Sequence, residues 1–178
     1  MQIGGDQGTM FEMLVRATRV SSAIEIGTFT GYSALSIARG LPVDGRLICC
    51  DVSEEWTAIA CEHWAMAGVS ERIDLRIGPA LDTIAALPTE LRFDLAFIDA
   101  DKTNYSNYYD ALLPRMTDNG LVLVDNTLWS RQVLDPDSIE IDTIALREFN
   151  VKVAADARVT CVILPIGDGV TMLQRRPN

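Results

Sequence analysis

Apolar positions fall into two rhythms that alternate along the chain. Short runs rich in Ile, Leu, Val, Ala and Cys recur at residues 23–26, 46–51, 73–77, 93–99 and 121–125, each bounded by turn residues. Continuous apolar runs of this length suit strands buried on both faces. Between them, apolar residues three and four apart predict helices over 9–18, 32–39, 53–67, 81–87 and 105–116, the first carrying Phe11, Leu14 and Val15 on one stripe. Ser53 is placed to cap its helix, Glu54 and Glu55 suit the positive end of the helix dipole, and Gly68 ends the helix. An irregular stretch over 126–138 holds Trp129, Arg131 and Pro136, and a further helix runs to about residue 153. Residues 159–164 and 170–174, joined across Gly167, Asp168 and Gly169, predict a closing β-hairpin. Strands alternating with helices predict an α/β fold, a mostly parallel sheet covered by helices. No repeat or linker divides the 178 residues, so one domain is expected.

Composition narrows the partners. With 48% apolar and 22% charged residues the chain can fold around a core, which excludes a disordered segment. The net charge of −10 has the wrong sign for holding a polyanion, so a small molecule is expected as partner and nucleic acid is not. No apolar stretch approaches the roughly 20 residues that span a bilayer, and the N-terminus carries no basic region followed by an apolar run, so no membrane contact and a cytoplasmic location are expected. Cys49, Cys50, Cys61 and Cys161 form no C-x-x-C pair and are expected as reduced thiols, the adjacent two on opposite faces of a strand. His63 is the only histidine, which leaves little material for a histidine-rich zinc site or a Ser-His-Asp triad.

In an open parallel sheet the ligand sits beyond the carboxyl ends of the strands, where strand order reverses. The first strand runs into Glu25-Ile26-Gly27-Thr28-Phe29-Thr30-Gly31, in which Gly27 and Gly31 permit close approach of a ligand to the backbone. Phe29 occupies the second glycine position of a G-x-G-x-x-G fingerprint, which argues against a pyrophosphate and hence against NAD. Asp51, twenty residues beyond Gly31, ends the second strand where a carboxylate can accept both hydroxyl protons of a ribose. Taken singly, the glycines read as a turn and Asp51 as a helix cap; together they point to a ribose-bearing ligand without a pyrophosphate. Asp99, Asp125 and Asn126 close the fourth and fifth strands, and if those strands are neighbours they offer oxygen ligands suited to Mg²⁺, Mn²⁺ or Ca²⁺.

The string from Glu25 to Ser33, the D-A-D-K-x-x-Y pattern from Asp99 to Tyr105, Asp125-Asn126 followed by Leu128-Trp129, and Leu164-Pro165-Ile166-Gly167-Asp168-Gly169 closely resemble the cation-dependent O-methyltransferases of the caffeoyl-CoA and catechol type. The resemblance covers nearly the whole chain, from about Gln7 to Arg175. It implies the Rossmann-like class I fold that uses S-adenosylmethionine, a seven-stranded, mostly parallel sheet with an antiparallel last strand and helices on both faces. It also implies that Glu25, Gly27 and Ser33 hold the methionine end of S-adenosylmethionine, with Thr28, Phe29 and Gly31 in the same loop, that Asp51 holds the ribose, and that Gly78 and Ala80 flank the adenine. Tyr108 is expected against the cofactor or simply in the core. Asp99 resembles a residue serving both cofactor and metal, Asp125 and Asn126 the remaining metal ligands, Lys102 the catalytic lysine, and Trp129 an aromatic wall of the acceptor pocket. A homodimer is a further implication. Two features depart from the family pattern: an N-terminal helical lid is expected to be short or absent, and Arg131 stands where a glycine is common, so that a long cation could reshape the acceptor mouth.

The residue types suit the chemistry. A phenol of pKa about 10 is about one part in a thousand ionised at pH 7, a deficit of roughly 4 kcal/mol. A divalent cation can supply several kcal/mol of charge stabilisation, and two adjacent hydroxyls would chelate it. The expected activity is therefore Mg²⁺-dependent O-methylation of a small catechol-like aromatic. A metal-independent small-molecule methyltransferase, and a non-catalytic cofactor-binding or dimerisation module, remain as alternatives; RNA methylation is disfavoured by the charge.

Overall fold

The computed structural model describes residues 2–176. Seven strands form one sheet: β1 (Ser22–Ile26), β2 (Arg46–Asp51), β3 (Ile73–Ile77), β4 (Phe93–Ile98), β5 (Met116–Val124), β6 (Val159–Leu164) and β7 (Val170–Arg175). Their order is β3-β2-β1-β4-β5-β7-β6, and β7 alone runs antiparallel, inserted between β5 and β6. The expected hairpin therefore supplies the antiparallel strand that the family resemblance implies.

Alternate residues along the central strands enter two separate cores. Ile24, Ile26, Ile48, Cys50, Ala96, Ile98, Val122 and Val124 face one side, against α4 (Ala80–Ala86), α5 (Tyr105–Leu112) and α6 (Ile141–Ala155). Ala23, Leu47, Cys49, Leu95, Phe97, Leu121 and Leu123 face the other, against α1 (Gly5–Thr18), α2 (Tyr32–Gly40) and α3 (Glu54–Met66). Cys49 and Cys50 thus lie on opposite faces, and all four cysteines are free. Among the described residues, no helix is long and apolar enough to cross a membrane.

Three boundaries differ from expectation. Helix α1 starts at Gly5, not at residue 9, because Gly4, Gly5 and Gly8 mask a first turn that packs tightly. A Cβ on Gly8 would lie 2.7 Å from the Ser36 hydroxyl and 3.0 Å from the Tyr32 ring, so only glycine lets α1 lie this close to α2. Helix α5 ends at Leu112, short of the expected residue 116; Pro114 has no N–H to give, and Leu113–Arg115 tightens into a 3₁₀ turn. Strand β5 then begins at Met116, five residues before expected: Met116 pairs with Phe93 and Leu121 with Leu95, so Asp118-Asn119-Gly120, which imitates a turn, lies in a bulge of the strand.

Strands β1 and β4 lie side by side, yet the chain winds outward from them in opposite directions. Their carboxyl ends therefore open a crevice, and the loops after β1, β2, β4 and β5 meet there.

Candidate active site

The loop after β1 is built to bring backbone close to backbone. Gly27 has φ +88°, and a Cβ there would sit 2.7 Å from the Asp99 carbonyl carbon and 3.1 Å from Ala100 Cα. Gly27→Ala is expected to cost about 2–3 kcal/mol, the sum of left-handed strain and a backbone clash, and to lower Tm by roughly 5–10 °C in a melting experiment. Phe29 also adopts positive φ (51°), held by Asp51: the Thr28 and Phe29 amides both donate to Asp51 Oδ2 at 2.8 Å, and the Ser53 amide donates to Oδ1 at 2.8 Å. A carboxylate offers about four acceptor sites, so Asp51 retains about one for a ligand hydroxyl, fewer than the pair expected from its position. Gly31, at φ +79°, caps α2 and accepts from Trp64 Nε1 at 2.9 Å. It lines neither of the two cavities described below; Trp64 and Ala60 occupy the space a side chain would need.

Glu25 lies beneath this loop, 0% exposed. Thr28 Oγ1 donates to its Oε2 at 3.0 Å, while Oε1 has no partner. Burial pushes the carboxyl up to about 7, opposed by the polar Ser33, Thr28 and Cys49 side chains around it and reinforced by the Asp99 charge. The folded chain then keeps this proton at pH values where the unfolded chain, with a pKa of about 4.3, has released it. Stability is expected to fall as pH rises from about 4.5 to about 7, by this group's contribution. Glu25→Gln should flatten that part of a Tm-against-pH curve for the protein free of ligands.

A cavity of about 510 Å³ opens above the loop. Gly27, Phe29, Asp51, Gly78, Ala80, Asp99 and Tyr108 all line it, together with Leu81 and Asp101. Tyr108 is anchored by donating to Asp101 Oδ1 at 2.6 Å, which, with the charge of Asp101 and burial, holds its phenol well above the ordinary range. Phe29 stacks obliquely on Trp56, ring centres 5.0 Å apart. A smaller space, sharing Gly27, Phe29 and Asp99 with it, is lined also by Ile3, Thr28 and Ser33.

Across Asp99 lies a second cavity of about 730 Å³, lined by Ile3, Gln7, Lys102, Asp125, Asn126, Trp129, Gln132, Glu140 and Asp168 among others. Lys102, 8% exposed, is its node. Its Nζ donates to Asp99 Oδ1 at 3.0 Å, to Asn126 Oδ1 at 2.8 Å and to the Tyr105 hydroxyl at 2.6 Å; that hydroxyl donates onward to the Asp125 carbonyl at 3.2 Å. Asp125 Oδ1 accepts from the Asn126 amide at 2.7 Å and Oδ2 from Gln7 Nε2 at 2.8 Å. Burial, with the nearby charge of Asp99, pushes the Asp125 carboxyl up to about 6. Trp129 faces this cavity with its ring centre 5.6 Å from Lys102 Nζ. Among the described residues, no three His, Cys, Asp or Glu side chains cluster as metal ligands. The set here is two carboxylates and one amide.

The family now follows from comparison. Residues 1–176 match the O-methyltransferase family profile. The chain belongs to the O-methyltransferase family. The Dictyostelium discoideum protein named "Probable caffeoyl-CoA O-methyltransferase 2" is 40% identical over 174 residues, spanning 96% of this chain and 75% of that one. In structure, the O-methyltransferase TomG of Streptomyces achromogenes, involved in tomaymycin synthesis and solved with SAM, superposes with a TM-score of 0.91 at 30% identity, over 99% of this chain and 82% of that one. The Bacillus cereus O-methyltransferase solved with SAH gives 0.91 at 30% identity, over 98% and 83%.

This O-methyltransferase assembles most of the residues singled out in its sequence. Gly27, Phe29, Asp51, Gly78, Ala80, Asp99 and Tyr108 share the first cavity, Thr28 and Ser33 its extension, and Lys102, Asp125, Asn126 and Trp129 the second. Glu25 lies behind the wall and Gly31 outside it. Arg131 is exposed and lines neither cavity; Ser130 and Arg131 both hold left-handed conformations, at φ 50° and 68°, the backbone a glycine would favour there. Gln7 and Ile3 went unrecognised because their segment reads as a glycine-broken loop, and Gln132 and Glu140 because they occupy irregular chain. The D-Q-G at residues 6–8, just ahead of an apolar stripe, was the one available signal.

Proposed function

We propose that this O-methyltransferase transfers a methyl group from S-adenosylmethionine to a hydroxyl of a small catechol-like acceptor, with a divalent cation, Mg²⁺ foremost, held beside Lys102. The single observation that carries the reading is the placement of Asp99. Asp99 lines the cavity above the glycine loop, and its carboxylate accepts a hydrogen bond from Lys102, which lines the other cavity. Donor and acceptor would meet across this one side chain.

The first cavity suits S-adenosylmethionine. Its volume lies within the roughly 300–1,000 Å³ of small-molecule sites, its lining is largely apolar, and three acidic residues, Asp51, Asp99 and Asp101, contribute to it, a charge that suits a cationic ligand. The unpaired Oε1 of Glu25 behind Thr28 and Ser33 is a buried acceptor suited to the ammonium of the methionine end. Asp51 would take a ribose hydroxyl, and Gly78 and Ala80 would flank the adenine. S-adenosylmethionine would supply the activated methyl.

The second site suits a hard cation. Asp99 and Asn126 already direct oxygens at one positively charged point, Lys102 Nζ, and Asp125 lines the same cavity as Lys102 and Asn126. Asp99, Asp125 and Asn126 would hold the cation, which would supply charge stabilisation to an ionised acceptor hydroxyl. Lys102, in its neutral amine form, would receive the proton of that hydroxyl, and Trp129 would stack on the aromatic ring. Ile3, 8% exposed and lining both the cofactor extension and the acceptor cavity, would exclude water between them.

A second, metal-independent reading is favoured by one observation: the Lys102 ammonium alone satisfies both Asp99 and Asn126. Radiolabelled methyl transfer to a 3,4-dihydroxy aromatic and to its mono-hydroxy analogue, each with Mg²⁺ and with EDTA, separates the two. The first reading expects turnover of the dihydroxy compound with Mg²⁺ only; the second expects turnover in EDTA.

A further inference from the structure

We infer that Gln7, on the first turn of α1, is the positioning residue for Asp125, orienting its carboxylate for a divalent cation. The inference rests on the proposed cation site. Gln7 is 2% exposed, and an amide at that depth is costly unless bonded. Its partner is specific: Nε2 donates to Asp125 Oδ2 at 2.8 Å across 118 residues of sequence. The carboxylate can only accept there, so the amide orientation follows from chemistry. With the Asn126 amide on Oδ1 at 2.7 Å, both oxygens of Asp125 are pinned and the side chain has one orientation.

The donor is neutral, and that matters. A lysine or arginine in this place would cancel the charge of Asp125 and compete with any cation. A glutamine orients the carboxylate and leaves its charge available to the cavity. The opposite end of the amide faces the loop after β6. Gly167, at φ +55°, closes over it so tightly that a Cβ would lie 2.7 Å from Gln7 Oε1. Helix α1, docked through Gly8, the loop after β6 and the end of β5 thus converge on one amide. Nothing else in the arrangement requires a polar side chain on this buried face of α1, where Phe11 and Val15 are the other buried side chains.

The test is isothermal titration of Mn²⁺ and, separately, of S-adenosylhomocysteine into the native protein, Gln7→Met and Gln7→Ala, with metal-free melting curves. Methionine keeps the length and fills the space but cannot donate. The expected result is a Mn²⁺ Kd raised about 10- to 100-fold in both variants, with S-adenosylhomocysteine affinity within about twofold of native. Native Mn²⁺ affinity in both variants overturns the role of Gln7 and leaves the cation reading standing. Equal losses of Mn²⁺ and S-adenosylhomocysteine binding, or failure of both variants to fold, make Gln7 a packing residue and also overturn it. Absence of Mn²⁺ binding by the native protein overturns both readings together.

Discussion

Lys102→Met is expected to lower kcat by about a thousandfold while leaving S-adenosylmethionine affinity within about threefold, the span that general-base removal covers. The separation follows from geometry. Lys102 reaches the cofactor side only through Asp99, whereas its own Nζ lines the acceptor cavity between Asp99, Asn126 and the Tyr105 hydroxyl. Methionine preserves an apolar stem of similar length, so the loss isolates the ammonium and its contacts, the one over the Trp129 ring included. Lys102→Arg should not rescue the rate, because a guanidinium cannot release its proton and its planar fork does not fit three acceptors arranged around a point. Single-turnover methyl transfer at saturating cofactor measures the step directly. A fall of less than about tenfold in Lys102→Met would remove the lysine from the proton transfer.

Legibility in the sequence divided along a physical line. The strands of the sheet centre were readable because burial on both faces demands unbroken apolar runs, and Ile24, Ile48, Ala96 and Val122 meet that demand without help from distant chain. The loops at their carboxyl ends were readable because glycine and aspartate do specific work there: Gly27 admits the Asp99 backbone, and Asp51 fastens the Thr28 and Phe29 amides. What resisted was decided by tertiary contact. Gly8 reads as a helix breaker until Ser36 and Tyr32 are seen against it, and Asp118-Asn119-Gly120 reads as a turn until the β4 pairing on either side, Phe93 with Met116 and Leu95 with Leu121, makes it a bulge. Gln7 carries no local signal of its bond to Asp125, since the two are brought together only when α1 docks on the finished sheet. Gly31 shows the converse error: a glycine within a ligand loop, required by Trp64 rather than by a ligand.

EDTA is expected to abolish turnover of a catechol-type acceptor, and Mg²⁺ to restore it. The magnitude follows from the acceptor: ionising a phenol at pH 7 costs roughly 4 kcal/mol, so losing the charge that offsets it should lower the rate by about a thousandfold. Asp125→Asn supplies the matching loss within the protein. The substitution keeps shape, and the Gln7 amide can turn over to accept where it formerly donated, so the packing around residue 125 survives while one negative charge is lost. Turnover should fall more than about a hundredfold, with partial recovery at high Mg²⁺, and S-adenosylhomocysteine should bind as in the native protein. Recovery by added metal distinguishes a weakened cation site from a misfolded one, because a misfolded chain gains nothing from Mg²⁺. Should turnover in EDTA stay within about twofold of the Mg²⁺ value, Lys102 would be the site's own cation, and the oxygens of Asp99 and Asn126 would serve to orient that ammonium toward the acceptor.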